Sequence, residues 1–397
     1  VPWNAGPIGF VPKGDVNRVA EFIPYSRQNI APEDIEAVVR VLKSPLITQG
    51  PEVERFEEAI AGYCGVKYAV AFNSGTSALH AALHAAGITA GDEVITTPLT
   101  FLATVNAAVY LGARPVMVDI DPRTYCLDVN QIEALISEKT RAILPVDYAG
   151  YPVDMNAIRE VARCHHLIVI EDAAHALGAI RNGQAVGGEA DMTMFSFHPV
   201  KHITTGEGGM IVTDDAALAG KMRRFRNHGM IREADQLMEN HGPWYYEMQE
   251  PGYNFRMTSI QAALGLSQFQ RLEAFVEERN KLARAYDRAF ADFPALSVPP
   301  RVGAAGSRHG YHLYPLLVND PEQRLGLFTY LRQQGIRVQV HYLPVHLQPF
   351  YRRQFGYQPG QFPMAEFVYW REISIPLFPG LTQPEQSRVA DLIKAYL

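Results

Sequence analysis

Ser196-Phe-His-Pro-Val-Lys-His-Ile-Thr-Thr-Gly-Glu-Gly-Gly209 is the stretch on which the fold turns. Its lysine, Lys201, lies between the apolar runs 192–197 and 209–213, with a glycine-rich turn behind it. An ammonium held among apolar residues is costly unless it is paired. Desolvation lowers a lysine's pKa, and the free amine then attacks a carbonyl to form a Schiff base. Upstream, Ile168-Val-Ile-Glu-Asp-Ala-Ala-His175 ends an apolar strand on Asp172, a carboxylate of the kind that pairs with a pyridinium nitrogen. A Schiff-base lysine with an Asp partner is the pattern of pyridoxal phosphate chemistry. Lys201 and Asp172 are the expected catalytic pair.

A phosphate needs its own cradle. The strand-like Tyr68-Ala-Val-Ala-Phe72 runs into Asn73-Ser-Gly-Thr-Ser77 and then an alanine-rich stretch closed by Gly87. Ser and Thr suit a helix start, and Gly a helix end. Gly75 allows close backbone approach, and the N–H groups and positive dipole end of the helix suit a phosphate dianion. An ordinary capped helix reads the same way from this segment alone. No Walker lysine follows, so a nucleotide-hydrolase loop is not supported.

Outward from these segments, short apolar strands alternate with helical stretches between residues 33 and 214. Strands are expected at 68–72, 93–97, 115–119, 142–146, 168–171, 193–197 and 210–212, and helices at 78–86, 102–111 and 155–165. That alternation predicts an α/β fold with a mostly parallel sheet and helices on both faces. Asp172 and Ser196 then fall at strand carboxyl ends, where open α/β sheets place ligands. Residues 258–293 lack proline and carry apolar residues at helical spacing, which predicts one long or kinked connecting helix. A smaller C-terminal α/β domain is expected over 294–397, with strands at 312–318 and 336–341 and helices near 365–373 and 385–396. The large, cofactor-binding domain is expected over 23–257. Residues 1–22, rich in Pro and Gly, are read as an extension outside the fold.

With 397 residues, 47% of them hydrophobic, the chain can bury two cores. A net charge of −6 without a basic block gives no electrostatic footprint for nucleic acid. Three widely spaced cysteines fit a reducing, cytoplasmic compartment and offer no zinc spacing, so no metal is expected. No apolar run reaches the length of a membrane span.

The motifs together resemble the sugar-nucleotide aminotransferases of the DegT/DnrJ/EryC1/StrS family, which have the aspartate-aminotransferase type of pyridoxal phosphate fold. Seven segments carry the resemblance, in family order: Leu46-Ile-Thr-Gln-Gly-Pro51, Phe72-Asn-Ser-Gly-Thr-Ser77, Thr97-Pro-Leu-Thr-Phe101, Glu171-Asp-Ala-Ala-His175, the lysine segment, Gly252-Tyr-Asn-Phe-Arg256 and Val340-His-Tyr-Leu-Pro344. It extends from about Ile23 to Leu397. Within the family, Leu46–Gly50, Val146-Asp-Tyr-Ala-Gly150 and Pro199–Thr205 most resemble the enzymes that aminate UDP-2-acetamido-2,6-dideoxy-β-L-arabino-hexos-4-ulose toward pseudaminic acid.

The resemblance implies a role for each matching residue. Lys201 would carry pyridoxal 5'-phosphate as a Schiff base, with Asp172 at the pyridine nitrogen, His175 at the ring hydroxyl and Phe101 on the ring face. Gly75, Thr76 and Ser196 would hold the phosphate, joined by Asn254 from a second subunit of a homodimer. Arg226, Arg256, His309, His341 and Tyr342 would face the sugar nucleotide. The flanking His198 and His202 are read as scaffold. The implied reaction moves the amino group of L-glutamate to the 4-keto carbon of the UDP-sugar. Alternatives are a D-xylo or dTDP-sugar 4- or 3-aminotransferase, or a regulator on the same fold that binds without turnover.

Overall fold

The computed structural model describes residues 22–397; of the expected extension 1–22, all but Phe22 lie outside the described residues. The first five strands are β1 Tyr68–Phe72, β2 Glu93–Thr96, β3 Arg114–Met117, β4 Thr140–Ile143 and β5 Ile168–Asp172. A small hairpin follows, β6 Ile180–Arg181 with β7 Gln184–Ala185, before β8 Met192–Ser196 and β9 Gly209–Thr213. Seven of these form one sheet, in the order β1-β9-β8-β5-β4-β2-β3. All neighbours run parallel except β9, which is antiparallel to both β1 and β8.

Successive side chains of a strand point to opposite faces, and both faces of this sheet are covered. Ala69, Ala71, Phe195, Met210 and Val212 enter one core, with Phe56 and Ile60 of the helix Pro51–Cys64. Val70, Phe72, Met192, Met194 and Ile211 enter the other. Burial on both faces is why the strands read as near-continuous apolar runs. The helices of this part are α1 Pro32–Leu42, α2 Pro51–Cys64, α3 Gly75–Ala85, α4 Leu102–Tyr110, α5 Met155–Cys164 and α6 Ala216–Phe225. Ala78, Ala81, Ala82 and Ala85 of α3 are fully buried in the second core, small enough to bring the helix close to the sheet.

The stretch 258–293 holds two helices, α7 Ser259–Phe269 and α8 Leu272–Phe290. At the break, Gln270–Arg271, the Arg271 guanidinium pairs with the buried carboxylate of Asp34 at the start of α1. A ribbon of β10 Met230–Ile231 and β11 Glu247–Met248 lies between α6 and α7. In the C-terminal part, β12 Leu296–Ser297, β13 Tyr314–Val318 and β14 Glu372–Ile375 form an antiparallel sheet. Helices α9 Pro321–Gln333, α10 Pro349–Phe355, α11 Pro363–Arg371 and α12 Gln383–Tyr396 complete it.

Three expectations here need correction. Residues 336–341 form no strand: Ile336 and Val338 are buried alternately, but pairing stops at isolated bridges, Ile23 to Ile336 and Gln339 to Ser374. The helix expected to reach Ile373 ends at Arg371, because Ile373 and Ile375 both enter the small core at a spacing of two, as a strand requires. Ile23 belongs to that same C-terminal core, although the sequence placed it in the large domain.

Candidate active site

A cavity of about 450 Å³ opens at the carboxyl ends of β5 and β8. One wall is the start of α3. Ser74 caps the helix, its hydroxyl accepting from the Ser77 amide at 3.1 Å, and the Ser77 hydroxyl accepts in turn from the Ser74 amide at 3.2 Å. This capping box leaves the Gly75 and Thr76 amides, which have no intrahelical acceptor, at the cavity wall. Two glycines allow the approach. A Cβ on Gly75 would lie 3.3 Å from the Ser196 Cβ, and one on Gly209 would lie 2.5 Å from the Ser74 carbonyl oxygen. Glycines of the lysine segment's turn thus shape the anion cradle.

Asp172 ends β5 and is buried in the cavity wall. Its Oδ2 accepts from Thr104 Oγ1 at 2.6 Å and its Oδ1 from the Ala174 amide at 3.1 Å. Thr104 is in turn 2.7 Å from Thr100 Oγ1. Burial pushes the Asp172 carboxyl up, while Thr104, the Ala174 amide and the Lys201 charge pull it back down. Lys201 lies across the cavity. Burial is the main force lowering its amine to about 7, with Asp172 opposing the shift and Arg279 adding to it. At neutral pH a substantial share of the amine is therefore uncharged and nucleophilic.

Histidines crowd the lysine. His312 Nε2 is 3.3 Å from Lys201 Nζ, and the His312 and His175 rings lie 4.4 Å apart. His175 Nδ1 accepts from the Ala149 amide at 3.2 Å, so Nε2 carries the proton, 3.2 Å from the Tyr342 hydroxyl. Burial pushes the His175, His312 and His202 imidazoles well below their usual range, with the Lys201 charge reinforcing it. His341 is anchored by its amide on Glu372 Oε2 at 2.8 Å and its Nδ1 on Ser374 Oγ at 2.8 Å. Phe101, more than half exposed, caps α4 at the cavity mouth with its ring 5.8 Å from that of Tyr342.

The cavity gathers Gly75, Thr76, Phe101, Asp172, His175, Ser196, Lys201, His341 and Tyr342. Four residues of the sequence reading lie elsewhere. The Arg226 guanidinium is committed to Glu57 and the Ala71 carbonyl, each at 2.6 Å, so it ties α6 to α2 and β1. Arg256 bonds Asn227. His309 is buried behind the wall, where its Nδ1 accepts from the Tyr311 amide at 2.8 Å. Asn254 is exposed. Of the two histidines read as scaffold, His198 lines the cavity and His202 is buried with Nε2 on the Gly310 carbonyl at 2.9 Å.

Thr104 and His312 were not found from sequence. Thr104 sits one helical turn past Thr100, a spacing that hinted at a shared face. His312 stands two residues before β13 begins, in a segment read as already strand. Among the described residues no group of His, Cys, Asp or Glu is arranged to hold a metal ion.

A carboxylate and a partly neutral lysine facing each other beside an anion cradle define a site for an aldehyde cofactor that carries a phosphate and a basic ring nitrogen. Pyridoxal phosphate fits on each count: amine for its carbonyl, buried Asp172 for its ring nitrogen, the start of α3 for its phosphate. The chain belongs to the DegT/DnrJ/EryC1/StrS aminotransferase family, which it matches over residues 28–394. An uncharacterized protein of Methanocaldococcus jannaschii is 44% identical over 94% of this chain and 97% of its own. The Bacillus subtilis spore coat polysaccharide biosynthesis protein SpsC is 42% identical over 96% of this chain and 98% of its own. Among solved structures, Helicobacter pylori PseC, an aminotransferase involved in pseudaminic acid biosynthesis, superposes with a TM-score of 0.88 at 36% identity, covering 95% of this chain and 99% of its own. Spr1654 of Streptococcus pneumoniae, solved in pyridoxal phosphate and pyridoxamine phosphate forms, gives TM-scores of 0.88 and 0.89 at 30% and 31% identity, each over 94% of this chain and 98% of its own. The protein is a pyridoxal phosphate-dependent sugar aminotransferase.

Proposed function

We propose that the protein moves the amino group of L-glutamate to the 4-keto carbon of UDP-2-acetamido-2,6-dideoxy-β-L-arabino-hexos-4-ulose. The product is UDP-4-amino-4,6-dideoxy-N-acetyl-β-L-altrosamine, for pseudaminic acid synthesis, made by a cytoplasmic homodimer. The observation that carries the substrate is the full-length likeness to PseC, joined to the segments Leu46–Gly50 and Val146–Gly150. Atoms balance over two half-reactions: glutamate leaves as 2-oxoglutarate at the cost of one water, and the keto sugar takes the amino group and releases one water.

When bound, pyridoxal phosphate supplies the carbonyl that captures amines and a ring that draws off carbanion charge. The chain supplies placement and protons. Lys201 would hold the cofactor through its amine and, once freed, would take a proton from the donor's alpha carbon and give it back, serving as base and acid in turn. Asp172, held by Thr104 and the Ala174 amide, would keep a proton on the ring nitrogen. The His175 Nε2–H would donate to the ring hydroxyl, and Phe101 would cover the ring face against water. The Gly75 and Thr76 amides and Ser196 would bind the phosphate, with Asn254 reaching over from the second subunit. Of the residues expected to face the sugar, His341 and Tyr342 line the cavity and carry this part of the proposal.

The 42% identity to SpsC favours a second reading, a related sugar nucleotide with a different configuration or base. Epimers differ in the direction of one substituent, and pockets discriminate such differences by a few kcal/mol unless a buried polar group is left unpaired. Some turnover of the D-xylo epimer is therefore expected. The test compares kcat/KM on the two UDP epimers and a dTDP-4-keto-6-deoxyhexose. The L-arabino epimer should be best; a clear preference for either other sugar replaces the substrate and leaves the aminotransferase in place.

A further inference from the structure

Behind Lys201, on the side away from the cavity, lies a fully buried arginine. Arg279 of α8 gives one guanidinium nitrogen, Nη1, to three main-chain carbonyls: Tyr311 at 3.2 Å, His312 at 3.3 Å and Leu377 at 3.0 Å. Its Nε has no partner, and among the described residues no carboxylate pairs with it. The neighbouring Glu278 is engaged elsewhere, accepting from the Gly380 amide at 2.7 Å. Arg279, His202 and Lys201 share a pocket of about 10 Å³, room for at most one water. A buried unpaired charge is costly to a fold, and an apolar side chain of like volume would serve packing better.

We propose that Arg279 is a positioning residue for the reaction: it pins the Tyr311–His312 main chain so that the His312 ring stands against the Lys201 amine, and it sets an uncancelled positive charge behind that amine. This rests on Lys201 being the attachment point of the cofactor.

Other groups also face the lysine. Asp172 at the end of β5 is the one anion against it, while His175, His202, His312 and His341 are all held neutral by burial. His198 and Glu207 stand at the mouth. Arg279 thus opposes part of the pull of Asp172 and adds to the burial that is the main force lowering the lysine. For a lysine whose pKa is lowered, the reactive form is gained as pH rises through the lowered value, about 7 here. Removing the rear charge moves that window upward.

The test follows capture of pyridoxal phosphate by cofactor-free, full-length protein, read by absorbance across pH. The parent should show a midpoint of about 7. Arg279→Gln and Arg279→Met both remove the charge, one keeping donors and the other bulk. Each should raise the midpoint by about one pH unit and slow capture at pH 7 about fivefold. Arg279→Lys, which keeps the charge, should hold the parental midpoint. An unmoved midpoint in either folded neutral variant, or loss of folding in both, makes Arg279 a structural residue only and overturns the proposal. Failure of the parent itself to capture the cofactor on Lys201 would remove the reading of the site, and this inference with it.

Discussion

Asp172 and His175 lie three residues apart in the cavity wall and would meet the proposed cofactor on unequal terms. Asp172 is a buried anion with two hydrogen bonds and a cation across the cavity. Removing one partner of a buried charge pair costs roughly 3–5 kcal/mol, hundreds-fold or more in rate when felt in the transition state. His175, neutral by burial, gives up one hydrogen bond, about 1 kcal/mol, rising to about 3 where a group is left unpaired. Asp172→Ala should therefore lower both cofactor affinity and kcat more than His175→Ala in side-by-side assays. A milder Asp172→Ala phenotype would mean that the ring lies elsewhere. These two residues were legible in sequence because strand end, carboxylate and histidine stand together in the eight residues Ile168–His175. Thr104, His312 and Arg279 were not, because each acts through a contact made only in three dimensions: on Asp172, on Lys201 and on carbonyls at 311–312.

At the scale of elements, the cradle depends on two glycines from different segments, one opening α3 and one opening β9. A methyl on Gly209 would meet the Ser74 carbonyl oxygen at 2.5 Å, inside any tolerated contact. Gly209→Ala should displace the Ser74–Gly75 turn at a cost of about 1–3 kcal/mol, seen as roughly tenfold or more weaker binding of pyridoxal phosphate in titration. Gly220→Ala is the control, since a Cβ there meets nothing closer than 3.8 Å and sits in a helix. Parental affinity in Gly209→Ala would detach the turn from the cradle. The strands themselves were readable, because burial on both faces writes them as apolar runs; all seven expected in the central sheet are present, shifted by at most three residues at an end. The stretch 258–293 is helical on both sides of a kink at Gln270–Arg271, where Arg271 pairs with Asp34. The failure sits where packing on another element decides: the small core turns Ile373 and Ile375 into strand.

Across the whole molecule, one chain leaves apolar surface uncovered. Ile35, Val39 and Leu42 on α1 are exposed, as are Leu46 and Ile47 after it. Contiguous apolar exposure of this kind marks an association surface, and closed two-fold assemblies are the commonest outcome. Asn254 is exposed as well, outside its own chain's cavity. If it serves the partner's phosphate, mixing Lys201→Ala with Asn254→Ala should restore activity, since each hybrid dimer holds one site with both residues intact. Two inactive parents whose mixture stays inactive after subunit exchange, or a fully active monomer in sedimentation, would refute the shared site. No described helix is long and apolar enough to cross a membrane.

Everything converges on one amine. Borohydride reduction of the cofactor-loaded protein, followed by peptide mapping in a mass spectrometer, locates the attachment directly. The account predicts a single phosphopyridoxyl group on Lys201, with Lys201→Ala both unlabelled and unable to transfer an amino group. Label on another lysine, or activity retained by Lys201→Ala, would contradict it.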